Sequence, residues 1–392
     1  SIDSMGIKST RRPPLGKGVP GDVPSVLFSD STTTASPKKY TRRPEMRLVR
    51  FVLLPLVLAV LATGIHQPAS AQTFRNDDPV IRQMWTMGME QSQTEDLAQY
   101  LTDYIGPRLA GSPNLDAAAE WALGKFEEWG VPARKEDYGT WDGWQYGITH
   151  VDLIAPRVQT LESELLAWSP GTDGPIEGDV VVVPELSSEA EASQWLSSVE
   201  GKIVLVSAPE PMCRAPHELE SNATPETVER LAQQRQDLRS TYNQRLAPLG
   251  GRGAIPRFVE AGAIGIIQSS WSGGWGVNKV FSAPTRDIPA VDLSCEDYGM
   301  VFRMAEKGQG PRIRMNIEAE ALGEPPQFKV LAELKGTELP DEYIVLGAHF
   351  DSWHAGTGPT DNATGSVMMM EAMRLLKAAY PNPRRTIIVG LW

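Results

Sequence analysis

The stretch "EYIVLGAHFDSWHAGTGPTDNATGSVMMMEAMRLLK", residues 342–377, runs from an apolar segment through a polar glycine-rich loop into a Met-rich segment. Residues 343–348 are a short, continuous apolar run, which reads as a buried strand. Residues 365–380 place Met368, Ala372, Leu375, Leu376 and Ala379 on one helical stripe, and that stripe reads as core. The loop between them holds His349, Asp351, His354 and Asp361. The chain has only five histidines, so two in one loop require an account.

His349 falls at the carboxyl end of the predicted strand, where open α/β sheets place their ligand sites. Asp351, two residues on, lies on the same side of an extended chain. It can accept the second ring N–H of His349, which fixes the tautomer and raises the basicity of the ring. Asp361 stands just before the helix, where the helix dipole favours an anion. The residues between can fold back, so that His349 and Asp361 converge on one cation. One neutral imidazole and one carboxylate suit zinc. A carboxylate has two oxygens, so Asp361 could bridge two ions, an arrangement that activates water. A phosphate-binding loop fits less well: the Walker lysine and the dinucleotide glycine spacing are both missing, and acids stand where phosphate would sit. His354 reads as a solvated loop histidine. Trp353 either walls a pocket or packs, and spacing assigns no place to Arg108, Trp141 or Trp144.

Taken together, "GAHFDSWHAGTGPTDNATGSVMMMEAMRLLK" and "RRTIIVGLW" resemble the M28 family of zinc exopeptidases. With "GPRLAGSPNLDAAAEWAL" upstream, the look is that of its carboxypeptidase Q-like branch, over roughly residues 80–392. The resemblance implies an α/β fold: a zinc-exopeptidase-type mixed sheet flanked by helices, with an inserted β-rich protease-associated domain. It implies His349 and Asp361 as metal ligands, Asp351 as the acid that supports the histidine catalytically, and two Zn2+ ions per complete site. The implied reaction is hydrolysis of dipeptides or short peptides from one end by metal-activated water. The family's general base and later ligands would fall beyond Trp392, so the chain is expected to be a fragment that lacks them and is inactive as such. Two other functions remain on the same fold: a metal-free receptor-like or binding protein, and a glutaminyl cyclase-type acyl transferase. The second generally lacks the insertion.

Outward from the loop, the expected organisation is peptidase sequence over 72–178, an inserted protease-associated domain over 179–317, and the metal-binding part over 318–392. The insertion would either gate a peptide substrate or mediate a homodimer. In "GPRLAGSPNLDAAAEWALGKFEEWGV" (106–131), Ser112 is a good N-cap, Pro113 a good first helical residue and Gly130 a good stop. "DVVVVP" (179–184) and "GKIVLV" (201–206) read as short buried strands. Residues 217–250 read as a solvated helix in a loop, and "FKVLAELKG" (328–336) with "EYIVLGAH" (342–349) as a strand pair.

At 392 residues the chain is long enough for two folding units plus tails. Its net charge is −12, although residues 1–71 carry ten Lys/Arg against four Asp/Glu. The body is therefore strongly acidic, which argues against nucleic-acid binding. Residues 46–71 have a basic start, a fifteen-residue apolar run and a small-residue end, the layout of a signal peptide. Cleavage would leave a secreted or periplasmic protein without stable membrane insertion. An uncleaved anchor is the other reading, although the run is short against the ~20 residues a span requires. Residues 1–45 read as a disordered extension upstream of the true start. Cys213 and Cys295, the two cysteines, could pair or stay as free thiols.

Overall fold

The computed structural model describes residues 77–274 and 277–392. The expectations for residues 1–45 and 46–71 lie outside the described residues. The described chain opens with helix α1 (Pro79–Glu90), capped by Asp78, whose carboxylate accepts from the Val80 N–H at 2.8 Å. Helix α2 (Thr94–Gln99) runs into a single π-helical turn over Tyr100–Ile105. Helix α3 (Pro113–Glu128) starts where its cap predicts: Ser112 Oγ accepts from the Leu115 N–H at 3.3 Å. The chain leaves the helix through Gly130, at φ 67°. Ala118, Ala119, Ala122 and Phe126 form its buried face.

The strands β1 (Ala133–Thr140) and β2 (Gly143–Ala155) follow. Beyond them lie β3 (Gln159–Thr160), β4 (Ser163–Leu165) and β5 (Ile176–Val182), then α4 (Glu189–Leu196) and β6 (Ile203–Leu205). Helices α5 (Pro216–Asn222) and α6 (Pro225–Leu246) cover the polar stretch, and α6 buries only Leu231 and Tyr242, as a solvated helix should. Helix α7 (Ala254–Glu260), strands β7 (Gly265–Gln268), β8 (Trp271–Gly274), β9 (Val277–Asn278) and β10 (Ala290–Leu293), and helix α8 (Cys295–Glu306) complete this region. The chain returns through β11 (Arg312–Gly323) and β12 (Pro326–Leu334), then β13 (Leu339–Ala348), helix α9 (Thr364–Ala379) and β14 (Arg385–Leu391).

Two main sheets result, a mixed α/β architecture with helices packed on it. The smaller has the order β1-β12-β14-β13; the larger has the order β3-β2-β11-β5-β6-β7-β10-β4. Antiparallel pairing of β1 with β12 and of β2 with β11 makes one ribbon that serves both sheets. At its corner Trp141 N–H donates to Pro325 O at 3.3 Å. Gly143 is required there, because a Cβ would lie 2.6 Å from the Pro325 ring.

Three expectations change. The boundaries at 178/179 and 317/318 fall inside strands: β11 pairs with β5 from Arg312 to Met315, so the larger sheet takes in residues 143–323. The segments 328–336 and 342–349 are both strands but do not pair, because β14 lies between them, parallel to β13 and antiparallel to β12. The strand before His349 is also not buried. β13 is an edge strand, paired on one side only among the described residues, and Val345 is 65% exposed.

Each sheet has its own apolar core. Leu97, Phe126, Val330, Val367, Met370 and Val389 pack around the smaller one; the buried face of α9 is Val367, Met370 and Met373, so the stripe expected as core is offset from it, with Leu376 only partly buried and Met368 59% exposed. Strands β6, β7 and β10 are covered on both faces: Ile203 and Ile267 join Val291 on one side, and Val204 and Ile266 join Phe258 on the other. Burial on both faces is why "VVVV" and "IVLV" show no alternation.

Cys213 and Cys295 form a disulfide, with Cα atoms 5.7 Å apart, tying the segment before α5 to the start of α8. Closing an 82-residue separation is worth ~2–4 kcal/mol by restricting the unfolded chain. Among the described residues no helix is long and apolar enough to cross a membrane.

Candidate functional site

β13 ends at Ala348, and His349 follows at its tip. Ser366 Oγ, in the first turn of α9, donates to the His349 carbonyl at 2.9 Å and pins the strand end to the helix. Asp351 Oδ1 lies 2.9 Å from Nδ1 of the ring. The other nitrogen, Nε2, faces Asp361 Oδ1, also at 2.9 Å. Asp361 sits in a π-helical turn (Pro359–Ala363) leading into α9, at φ −126°, ψ 86°, and its side chain is 79% exposed. The fold thus brings all three sequence-predicted residues together: one carboxylate holds the imidazole from behind, and a second lies in front of it.

Arg108 organises the loop that joins them, and sequence reasoning gave it no such place. Its side chain is fully buried. Nε donates to Phe350 O at 3.0 Å, and Nη1 donates to Gly106 O at 2.7 Å and to Thr357 O at 3.0 Å. The Arg108 N–H also donates to Ser352 Oγ at 3.0 Å, and Arg108 O accepts from the Ser352 N–H at 2.9 Å. Burial brings the guanidinium down to about 10, a shift opposed by the neighbouring charge of Asp351. Gly358, at φ 60°, lets the loop close, because a Cβ there would meet Ser352 Cβ at 2.4 Å.

The three carboxylate and imidazole groups share a cavity of about 410 Å³ with Trp141, Trp168, Trp353 and Arg286. Trp353 meets Trp168 and Phe281 edge-on, with ring centroids 6.1 and 4.9 Å apart. Trp144 lies elsewhere, buried, with Nε1 donating to Ser169 O at 2.9 Å.

His354 is not the solvated loop residue expected. It is 1% exposed, with ring edges against Trp144 and Tyr146, because the loop lies on the larger sheet. Its Nε2 lies 2.5 Å from Leu165 O, and a carbonyl only accepts, so Nε2 carries the hydrogen. Nδ1 is buried with no hydrogen-bond partner. Burial holds the ring below its ordinary value of 6.5, so the folded protein keeps it neutral. In the unfolded chain the ring takes up a proton as pH drops through 6.5, and in the native state it resists. Stability from this group is therefore fully present above 6.5 and is lost as pH falls below it, with a slope of at most ~1.4 kcal/mol per pH unit. Urea melts between pH 7.5 and 5.5 should show this loss in the native sequence and a smaller one in His354→Phe.

Do these residues fit a metal? Two ligands bound at ~2.0–2.1 Å to one tetrahedral zinc lie ~3.3 Å apart, so the observed 2.9 Å needs only a slight widening to admit the ion. The carboxylate behind His349 is the usual support of a zinc-bound imidazole. Zinc sites take three or four protein ligands, however, and among the described residues no cluster of three or more His, Cys, Asp or Glu is placed to hold a metal. The pair fits two ligand positions and does not complete a set.

Residues 329–392 match the model of Peptidase family M28. The matched segment contains His349, Asp351 and Asp361. The chain is 26% identical over 306 residues to rat carboxypeptidase Q, covering 78% of this chain and 59% of that protein. It thus spans about three-fifths of the length of the curated relatives of that name. Over 88 residues, 22% of this chain and 11% of the relative, it is 30% identical to human transferrin receptor protein 2. Among solved structures, a peptidase M28 precursor from Shewanella amazonensis aligns with a TM-score of 0.51 at 26% identity, covering 80% of this chain and 66% of that one. The mixed α/β fold is therefore that of an M28 peptidase.

Proposed function

We propose that the chain carries part of the zinc site of an exopeptidase acting on dipeptides or short peptides. His349 and Asp361 would hold the metal, with the set completed outside the described residues. The observation that supports this most is the imidazole braced by Asp351, with its free nitrogen aimed at a second carboxylate on a cavity wall. Bound zinc would supply Lewis acidity, polarising a peptide carbonyl and making water a nucleophile near neutral pH. Of the chain's own residues, Asp351 would hold the tautomer of His349, Arg108 fixes the loop between the two ligand positions, and the tryptophans would give a peptide an apolar wall to lie against. In this reading residues 143–323 are the protease-associated domain. The disulfide favours an oxidising location, secreted or periplasmic, in keeping with a signal peptide.

The test is dipeptide hydrolysis by the protein in its longest natural form, with zinc counted per chain. Activity lost on chelation and regained with zinc is the expected result. Hydrolysis indifferent to chelation, or zinc bound without hydrolysis, would end this reading. Finding neither zinc nor hydrolysis would favour a metal-free binding protein, a reading supported by the likeness of 88 residues to a transferrin receptor.

A further inference from the structure

We propose that Arg286 anchors a carboxylate in the cavity beside His349, and that the group it takes is the free α-carboxylate of a peptide whose last side chain is apolar. The inference rests on the exopeptidase reading for the identity of the ligand, and on the cavity alone for its chemistry. Among the described residues lining this cavity, Arg286 is the one Lys or Arg, set against the acids Asp351 and Asp361.

Its geometry is that of a presented group. The guanidinium carbon lies 5.9 Å from the ring centroid of Trp168, and Nη2 donates to Asp142 Oδ2 at 2.7 Å. Trp168 Nε1 in turn donates to Asp142 O at 3.0 Å, so residue, ring and acid hold one another in position. The arginine side chain nevertheless remains 57% exposed. An ion pair that open contributes little to folding, which leaves the arrangement without a structural reason of that kind. A guanidinium has five N–H donors in a planar fork that matches a carboxylate, and one of them is engaged here by Asp142.

The surroundings narrow the ligand. Trp168 stands beside the cation, and Trp353 and Trp141 line the same cavity, adding aromatic surface with no charge of its own. A terminal residue carries its carboxylate and its side chain on the same carbon, so an apolar terminal residue meets the cation and the wall together. An aspartate or glutamate side chain would also reach the arginine, but with no apolar group beside it for the tryptophans.

Binding to the 392-residue chain tests this without metal or turnover. The probes are N-acetyl-phenylalanine, its amide, and N-acetyl-glutamic acid α-amide, followed by calorimetry and by tryptophan fluorescence. The phenylalanine acid should bind about tenfold or more tightly than its amide, the usual worth of a hydrogen bond to a charged group. In Arg286→Gln that ratio should fall to about one, with Arg286→Lys between and the melting temperature unmoved in both. Equal binding of acid and amide, a ratio that survives Arg286→Gln, or no binding of any probe overturns the proposal. Tighter binding of the glutamate amide than of the phenylalanine acid overturns the α-carboxylate assignment in favour of an acidic side chain. Failure of the exopeptidase reading would instead appear as absent hydrolysis while the acid-over-amide ratio persists.

Discussion

Arg108→Met should cost about 4 kcal/mol of stability and move the urea midpoint accordingly. The substitution keeps much of the volume but removes every donor from a fully buried position. Phe350 O, Gly106 O and Thr357 O then lose the N–H groups that reach them at 2.7–3.0 Å. A buried carbonyl left without its donor costs ~1–3 kcal/mol, and not all of these will find replacements. Arg108→Lys should recover only a part, because one ammonium cannot span carbonyls fanned around a planar guanidinium. The same change should loosen the 350–358 loop, so hydrogen exchange of the Ser352 amide, bonded to Arg108 O, is the local readout. A midpoint shift equivalent to less than about 1 kcal/mol would mean that water replaces the guanidinium and that the loop stands without it.

His349→Ala should lower kcat/KM for dipeptides by about 10³-fold, ~4 kcal/mol of transition-state stabilisation, in the protein in its longest natural form. The residue removed is the imidazole that meets both carboxylates, with 2.9 Å on either side. Asp351→Asn should behave differently. It leaves the proposed ligand atoms untouched and weakens only the support behind the ring, so zinc affinity should fall ~10–100-fold. Excess zinc should then restore much of the rate to Asp351→Asn and none to His349→Ala. A His349→Ala protein within tenfold of the native rate would show that the chemistry lies elsewhere.

Local relations were the legible ones. Ser112, Pro113 and Gly130 bound a helix because capping and φ preference act over three or four residues. Asp351 was readable as the partner of His349 because two residues of extended chain place both on one side. Asp361 was readable because it stands just before a helix, where the dipole favours an anion, after a loop able to fold back towards His349. What stayed hidden depends on neighbours distant in sequence. The apolar run before His349 reads as buried in any order of strands, yet as an edge strand it is open to solvent. His354 looks solvated until the larger sheet closes over it and supplies Leu165 O. Arg108 meets carbonyls some 240 residues away in sequence, and no period or spacing records them. The expected boundary at residue 178 followed a change of texture, whereas the pairing of β2 with β11 starts the larger sheet at Gly143.

The ribbon of β1–β2 with β11–β12 carries a mechanical consequence. Proteins that open and shut do so about a few unpaired residues that swivel freely, whereas here both strands crossing between the sheets stay hydrogen-bonded to each other through the corner. Twisting one sheet against the other would have to shear that ladder. The cavity that Arg286 and His349 both line is therefore expected to keep a nearly constant width, like the gap of a fixed gauge.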